Sequence, residues 1–226
     1  NRIVTDSITD FFFTTSKHAN NNLKKQGVSS KKIFFVGNTM IDTLLKNQSK
    51  FKRPKIWKKA NLSTKNYLML TLHRPANVDN RSILKSLILE IIGNSKGLPI
   101  IFPMHPRTRK QFSDLTIQNK NLFIIDPLGY LEFNYLVERS LAVITDSGGI
   151  TEEATVMNVP CMTLRENTER PETVEEGTNV LLGVNPKSIK PALNKIFSGS
   201  WKSGNIPHLW DGEAGERIVK HLASIL

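Results

Sequence analysis

Thr145-Asp146-Ser147-Gly148-Gly149 separates an apolar run, LAVIT, from an amphipathic one, ITEEATVMN. A turn between a strand and a helix needs one glycine. Two of them behind a serine make a backbone that another molecule can approach closely. A helix that starts here exposes unpaired amides and the positive end of its dipole. With the Ser147 hydroxyl as a further donor, Ser147, Gly148 and Gly149 form an anion cradle. Glu152 and Glu153 follow within the first helical turns. An acid there repels phosphate but accepts hydrogen bonds from ribose hydroxyls. Ser-Gly-Gly together with Glu153 therefore suits a nucleoside diphosphate. The GxxxxGK[ST] pattern of ATP-hydrolysing loops is absent, which speaks against simple ATP hydrolysis. The plainer alternative is a tight turn in which Ser147 or Asp146 caps the following helix.

Three other strand ends carry polar groups: His73-Arg74-Pro75-Ala76-Asn77, His105-Pro106-Arg107 and Glu166-Asn167-Thr168-Glu169-Arg170-Pro171-Glu172. A lone loop histidine is usually structural. Four polar strand ends on one edge of one sheet point to a ligand site.

The elements that must hold these groups alternate. Strands are predicted at residues 11–16, 32–37, 66–72, 98–104, 121–126, 141–145, 159–165 and 178–183. Helical patterns lie between most of them; Ile83, Leu84, Leu87, Ile88, Ile91 and Ile92 share one face of the helix over 81–95. Gly27 is the stop of a helix after residue 16, Asn38 or Thr39 the cap of another, and Pro186 lies in the first turn of a third. Such alternation predicts an α/β fold, a parallel sheet wrapped by helices. Its ligands bind beyond the carboxyl ends of the strands. The basic stretch KNQSKFKRPKIWKK, residues 46–59, has a proline and no sustained period and reads as a solvated linker.

The 226 residues suffice for one large domain or two small ones, and 39% hydrophobic with 23% charged residues is ordinary globular composition. No apolar run approaches the roughly 18 residues of a spanning helix. The first ten residues are polar and read as no signal peptide. Cys161, the single cysteine, excludes an internal disulfide, fits a reducing compartment and reads as a buried hydrophobe. The net charge of +11 raises nucleic acid as a partner, but the basic residues are scattered and no reading module is present, so none is expected. A net cation favours a phosphorylated metabolite. No metal-ligand spacing is visible.

LTLHRPANVDN, FPMHPRTRK, VITDSGGITEEA and LRENTERPETVEEGTNVLLG, in that order, closely resemble the non-hydrolysing UDP-N-acetylglucosamine 2-epimerases. NRIVTDSITDFFFTTS, FFVGNTMIDTLL and DGEAGERIVKHL are similar to segments of the same family, so the resemblance covers nearly the whole chain. It implies a glycosyltransferase-B-type fold with substrate between two Rossmann-like domains. It also implies that Ser147, Gly148 and Gly149 hold the diphosphate, Glu153 the ribose, Phe133 borders the uracil and Arg170 contacts the nucleotide. His73 would lie in the active site near the leaving diphosphate. His105 and Arg107 match a segment linked in some members to a second, regulatory UDP-sugar site. The implied reaction inverts C2 of UDP-N-acetylglucosamine by elimination and re-addition of UDP, without metal or redox cofactor. The implied setting is the cytoplasm, with no membrane association; the implied assembly is a homodimer.

Members of the family are longer, and the chain departs from them in two ways. The resemblance divides it into a remnant of a first Rossmann-like domain (1–49), a basic linker (50–65), the nucleotide-binding domain (66–205) and a closing helix that returns to the first domain (206–226). The acid and base carboxylates used at the sugar match no position here, so the chain alone is expected to bind UDP weakly without turnover. The apolar FFFTTS is expected to promote self-association. Ala76 stands where the family usually has glutamate. Two other functions remain open: the donor-binding half of a glycosyltransferase of the same fold, and a non-catalytic UDP-sugar-binding fragment.

Overall fold

The computed structural model describes residues 2–225. In chain order the elements are α1 (Arg2–Ser7), β1 (Phe12–Thr14), α2 (Lys17–Lys25), β2 (Ile33–Phe35), α3 (Thr39–Gln48), α4 (Ile56–Lys59), β3 (Leu68–Thr71), α5 (Pro75–Val78), α6 (Arg81–Asn94), β4 (Ile100–Pro103), α7 (Pro106–Phe112), β5 (Leu122–Ile125), α8 (Tyr130–Arg139), β6 (Ala142–Thr145), α9 (Gly148–Val156), β7 (Cys161–Thr163), α10 (Pro171–Glu175), β8 (Asn179–Leu181), α11 (Ile189–Phe197) and α12 (Ala214–Ile225). They form two compact units, Asn1–Ser49 with Ile206–Leu226, and Lys50–Asn205.

The smaller unit is built on the parallel pair β1–β2, in register Phe12↔Ile33 to Thr14↔Phe35. The Ser16 hydroxyl caps α2 by accepting from the Ala19 amide, and the Asn38 side chain caps α3 through Met40. The last helix is tied in by sequence-distant contacts. Asp42 of α3 accepts from the amides of Ala214 and Gly215 at the start of α12, at 3.1 and 2.7 Å. The Trp210 indole, almost fully buried, donates to the Thr15 carbonyl at 3.0 Å. Gly37 has φ +96°, and a Cβ there would lie 2.0 Å from the Leu209 carbonyl oxygen, so only glycine fits. The segment expected to be sticky is largely covered within this unit. Phe12 is buried, and the Phe34 ring lies 5.6 Å from Phe13 and 4.6 Å from His221. The more exposed apolar side chains are instead Ile3, Val4 and Ile8 around α1 and Val219 on α12.

The larger unit is a six-stranded parallel sheet in the order β5-β4-β3-β6-β7-β8. Numbered from its first strand this is 3-2-1-4-5-6, the doubly wound order. Side chains alternate across each strand, and both faces are dry. Leu68, Leu70, Ile100, Phe102, Ile144 and Met162 pack with Leu84, Leu87, Ile88 and Ile91 of α6 and Ile189, Leu193 and Ile196 of α11. On the other face Met69, Ile101, Val143 and Cys161 pack with Tyr135 and Leu136 of α8 and Ala154 of α9. Cys161 is fully buried as expected, and burial pushes its thiol up to about 12.

The solvated linker at 46–59 needs correction. Its first residues end α3, and residues from Lys50 onward belong to the larger unit. Ile56, Ala60 and Leu62 are buried in the second core. Trp57 meets Tyr67 and Tyr135 edge-on at 5.9 and 5.3 Å, and the Arg53 guanidinium covers its ring. One helical turn, α4, places apolar positions 56 and 60 inward while the lysines stay in water, a pattern too short to show a period. The same brevity hid α1, α5 and α10.

Candidate functional site

Strands β3 and β6 are neighbours, in register Thr71↔Thr145. From this pair the chain runs outward in both directions, which opens a crevice at the carboxyl ends. The Thr71 and Thr145 hydroxyls share a hydrogen bond of 2.6 Å, and Thr145 Oγ1 also accepts from the Ser147 amide at 3.0 Å. The next residue, Asp146, is fully buried. Its carboxylate accepts from the amides of His73 (3.0 Å) and Arg74 (2.9 Å), from Asn77 Nδ2 (3.1 Å) and from His73 Nδ1 (2.9 Å). Burial alone would raise this carboxyl; the donors from His73, Arg74 and Asn77 outweigh it and hold it below the usual range. An ionised carboxylate can only accept, so His73 Nδ1 carries the proton and Nε2 is the atom left for chemistry.

His73 and its neighbours Thr71 and Leu72 line a cavity of about 290 Å3 with Pro103 at the end of β4 and His105 beyond it, Pro127 and Leu128 beyond β5, and Phe133 of α8. Three strand ends thus converge, as alternation of strands and helices predicts. His105 caps α7: its Nδ1 accepts from the Arg107 amide at 3.3 Å. The Arg107 side chain is engaged elsewhere, in a two-point ion pair with Asp79 at 3.0 and 2.6 Å. The two residues expected to act together therefore face different partners. Ala76 is exposed on α5, next to the buried Asn77.

At the start of α9, Gly148 and Gly149 are the first two helical residues behind Ser147, and no side chain caps them. Neither Ser147 nor Asp146 plays the capping part that a plain turn would give it; Asp146 is turned to the loop after β3. Gly148 has no left-handed φ, and a Cβ there would make only ordinary contacts, 3.8 Å to Arg165 Nη1 and 3.9 Å to Glu169 Oε2. The fold by itself does not require glycine at 148, whereas an approaching anion would. Glu153 is buried, with Asn134 Nδ2 at 3.5 Å and the Tyr130 hydroxyl bonded to it. Burial, only partly offset by these donors, raises its carboxyl above the ordinary value. Burial and the Glu153 charge likewise raise the Tyr130 phenol. Arg170 Nε pairs with the buried Glu152 at 2.6 Å.

Sequence reasoning missed Asp146, Asn77, Tyr130 and Arg165. Asp146 was legible only as a possible cap, because its partners lie some 70 positions away and become neighbours once β3 pairs with β6. Among the described residues no three His, Cys, Asp or Glu side chains cluster as a metal site.

Residues 1–223 match the family model described as UDP-N-acetylglucosamine 2-epimerase. The chain belongs to the UDP-N-acetylglucosamine 2-epimerase family. A protein of that name from Methanococcus maripaludis is 44% identical over 97% of the chain and 62% of its own length. The crystal structure of the Methanocaldococcus jannaschii UDP-GlcNAc 2-epimerase in complex with UDP-GlcNAc and UDP is 39% identical, with a TM-score of 0.86 over 99% of this chain and 64% of that one. The Neisseria meningitidis UDP-GlcNAc 2-epimerase bound to UDP-GlcNAc is 29% identical, with a TM-score of 0.84 over 99% and 64%. The fold is that of these epimerases, and the chain spans just over three fifths of their length. No helix among the described residues is long and apolar enough to cross a membrane.

Proposed function

We propose that this chain supplies the UDP-binding part of an epimerase that interconverts UDP-N-acetylglucosamine and UDP-N-acetylmannosamine. The observation that carries this reading is the junction at Asp146. One buried carboxylate fixes His73 beside the uncapped amides of α9 at the crevice of a doubly wound sheet. Helix amides and cationic side chains are what a departing diphosphate requires. The family to which the chain belongs, and relatives crystallised with UDP-GlcNAc and UDP, support the choice of nucleotide sugar.

In this reading Ser147, Gly148 and Gly149 bind the diphosphate. Glu153 accepts from ribose hydroxyls, and Phe133 flanks the uracil at the cavity wall. Arg170 reaches the nucleotide from its seat on Glu152. His73 presents Nε2 to the leaving diphosphate. His105, with Arg107 two residues on, serves a regulatory UDP-sugar site. The C2 proton has no carbonyl neighbour to acidify it, so abstraction is coupled to departure. A base takes the C2 proton, the C–H pair becomes the C1–C2 double bond, and the C1–O pair leaves with UDP. Re-addition of UDP at C1 and of a proton to the opposite face of C2 completes the inversion. General acid and base groups at the sugar ring are needed as well, and none of the described residues is assigned that task. The chain by itself is therefore expected to bind UDP without epimerising UDP-N-acetylglucosamine. The smaller unit is, in this reading, the end of a first Rossmann-like domain closed by the last helix. The enzyme works in the cytoplasm, as a homodimer.

Isothermal titration of UDP into this chain and into Ser147→Trp tests the reading. Binding to the wild type that weakens at least tenfold in Ser147→Trp is the expected result. No binding to either protein, or equal binding to both, overturns it. Incubation with UDP-N-acetylglucosamine and no acceptor tests the chemistry: product formed by this chain alone would contradict the division of labour.

A further inference from the structure

Arg165 lies two residues beyond β7 with 6% of its surface exposed, and its Nη1 has no hydrogen-bond partner among the described residues. A buried guanidinium nitrogen without an acceptor is costly, so its position points to an anionic ligand. Nη1 is also the nearest atom to the space in front of Gly148, 3.8 Å from where a Cβ would stand. The other nitrogen, Nη2, is taken by Glu169 Oε1 at 2.6 Å, and the second Glu169 oxygen faces the same space at 3.9 Å. Glu169 is otherwise mostly in solvent. Arg165 first, and the charge of Arg74 as well, draw its carboxyl down to about 2, so it is ionised at any working pH. One largely exposed carboxylate thus sits among two guanidinium groups and a helix N-terminus.

We propose that Glu169 is a built-in counter-anion of the diphosphate subsite, displaced when a nucleoside diphosphate binds, and that Arg165 then passes to the phosphates as a ligand. The inference rests on the UDP-binding reading above. A phosphate has more acceptor oxygens than a carboxylate and can satisfy both guanidinium nitrogens together with the α9 amides. In the free protein Glu169 neutralises Arg165 but leaves Nη1 unmet. The contact keeps the subsite in order between turnovers, and it weakens the grip on product UDP by the work of displacing it.

The test is titration of UDP and of uridine into wild type, Glu169→Gln, Arg165→Lys and the double variant, with urea midpoints to show that each is folded. Glu169→Gln should tighten UDP about tenfold and leave uridine unchanged. Arg165→Lys should weaken UDP about tenfold, and in its background Glu169→Gln should no longer help. Glu166→Gln, a neighbouring acid bonded to the Val184 amide, should not change UDP affinity. UDP binding that is the same in wild type and Glu169→Gln overturns the inference while the UDP reading stands. A gain that persists in the Arg165→Lys background, or that appears equally in Glu166→Gln, reduces it to general charge and also overturns it. If wild type binds no UDP, the reading and the inference fall together.

Discussion

Asp146 and Glu153 are both buried carboxyls within seven residues of each other, yet their surroundings push them in opposite directions. Asp146 accepts four hydrogen bonds and is held ionised; Glu153 has fewer donors, and burial wins. The stability consequences have opposite signs. Asp146 is depressed below the unfolded value near 3.8, so its contribution is complete above that value and is lost as pH falls through the folded one. Asp146→Asn should therefore cost about 2 kcal/mol at neutral pH and flatten the acid limb of a urea-midpoint profile. It should also change the His73 imidazole 15N shifts, since an amide no longer compels a proton on Nδ1. An unchanged tautomer signature would remove Asp146 from its orienting part. Glu153 is raised above 4.5, so its contribution is present below the unfolded value and lost as pH rises through the folded one. Glu153→Gln is expected to raise the melting temperature at pH 7 by about 2 °C and to weaken UDP severalfold. A drop in melting temperature would show that the charged form is the one the fold prefers. Glu153 was legible in the sequence from its place in the first turns of a helix after Ser-Gly-Gly. Its strain was not, because burial depends on Tyr130 and Asn134 of another helix.

Elements decide where these residues stand. The turn α4 shows how: a stretch that composition marks as solvated basic chain puts Ile56, Ala60 and Leu62 into the second core. Ile56→Ala should lower the unfolding free energy of the larger unit by about 2–4 kcal/mol, read by urea denaturation. Lys58→Ala in the same turn should stay within about 0.5 kcal/mol. Equal effects would mean the segment is solvated after all. In the smaller unit, Gly37→Ala would set a Cβ against the Leu209 carbonyl at a left-handed φ. A loss of at least 2 kcal/mol is expected, seen as early melting of the α12 signal. The long strands and helices were legible because two-fold and 3.6-fold periods repeat within them. Helices of four to six residues complete fewer than two turns and show no period.

At the scale of the whole molecule, the residues proposed to bind the nucleotide all lie between Lys50 and Asn205, in a unit with a core on both faces of its sheet. A fragment of residues 50–205 is expected to fold cooperatively and to bind UDP within about threefold of the full chain. A fragment that folds but loses UDP would place part of the site in the other unit. The α/β class, the parallel sheet and the start of a helix behind Ser147-Gly148-Gly149 were determined by the sequence alone. Alternating apolar runs, paired glycines and helix starts are local patterns, and local patterns carry their own geometry. Only the tertiary structure decided that Asp146 holds His73, that Arg107 turns to Asp79, and that Glu169 sits on Arg165 in front of Gly148. The first two depend on which strands become neighbours. The third depends on where an exposed loop carboxylate settles beside the buried Arg165. Neither strand order nor long-range electrostatics is written in the spacing of residues along one stretch of chain.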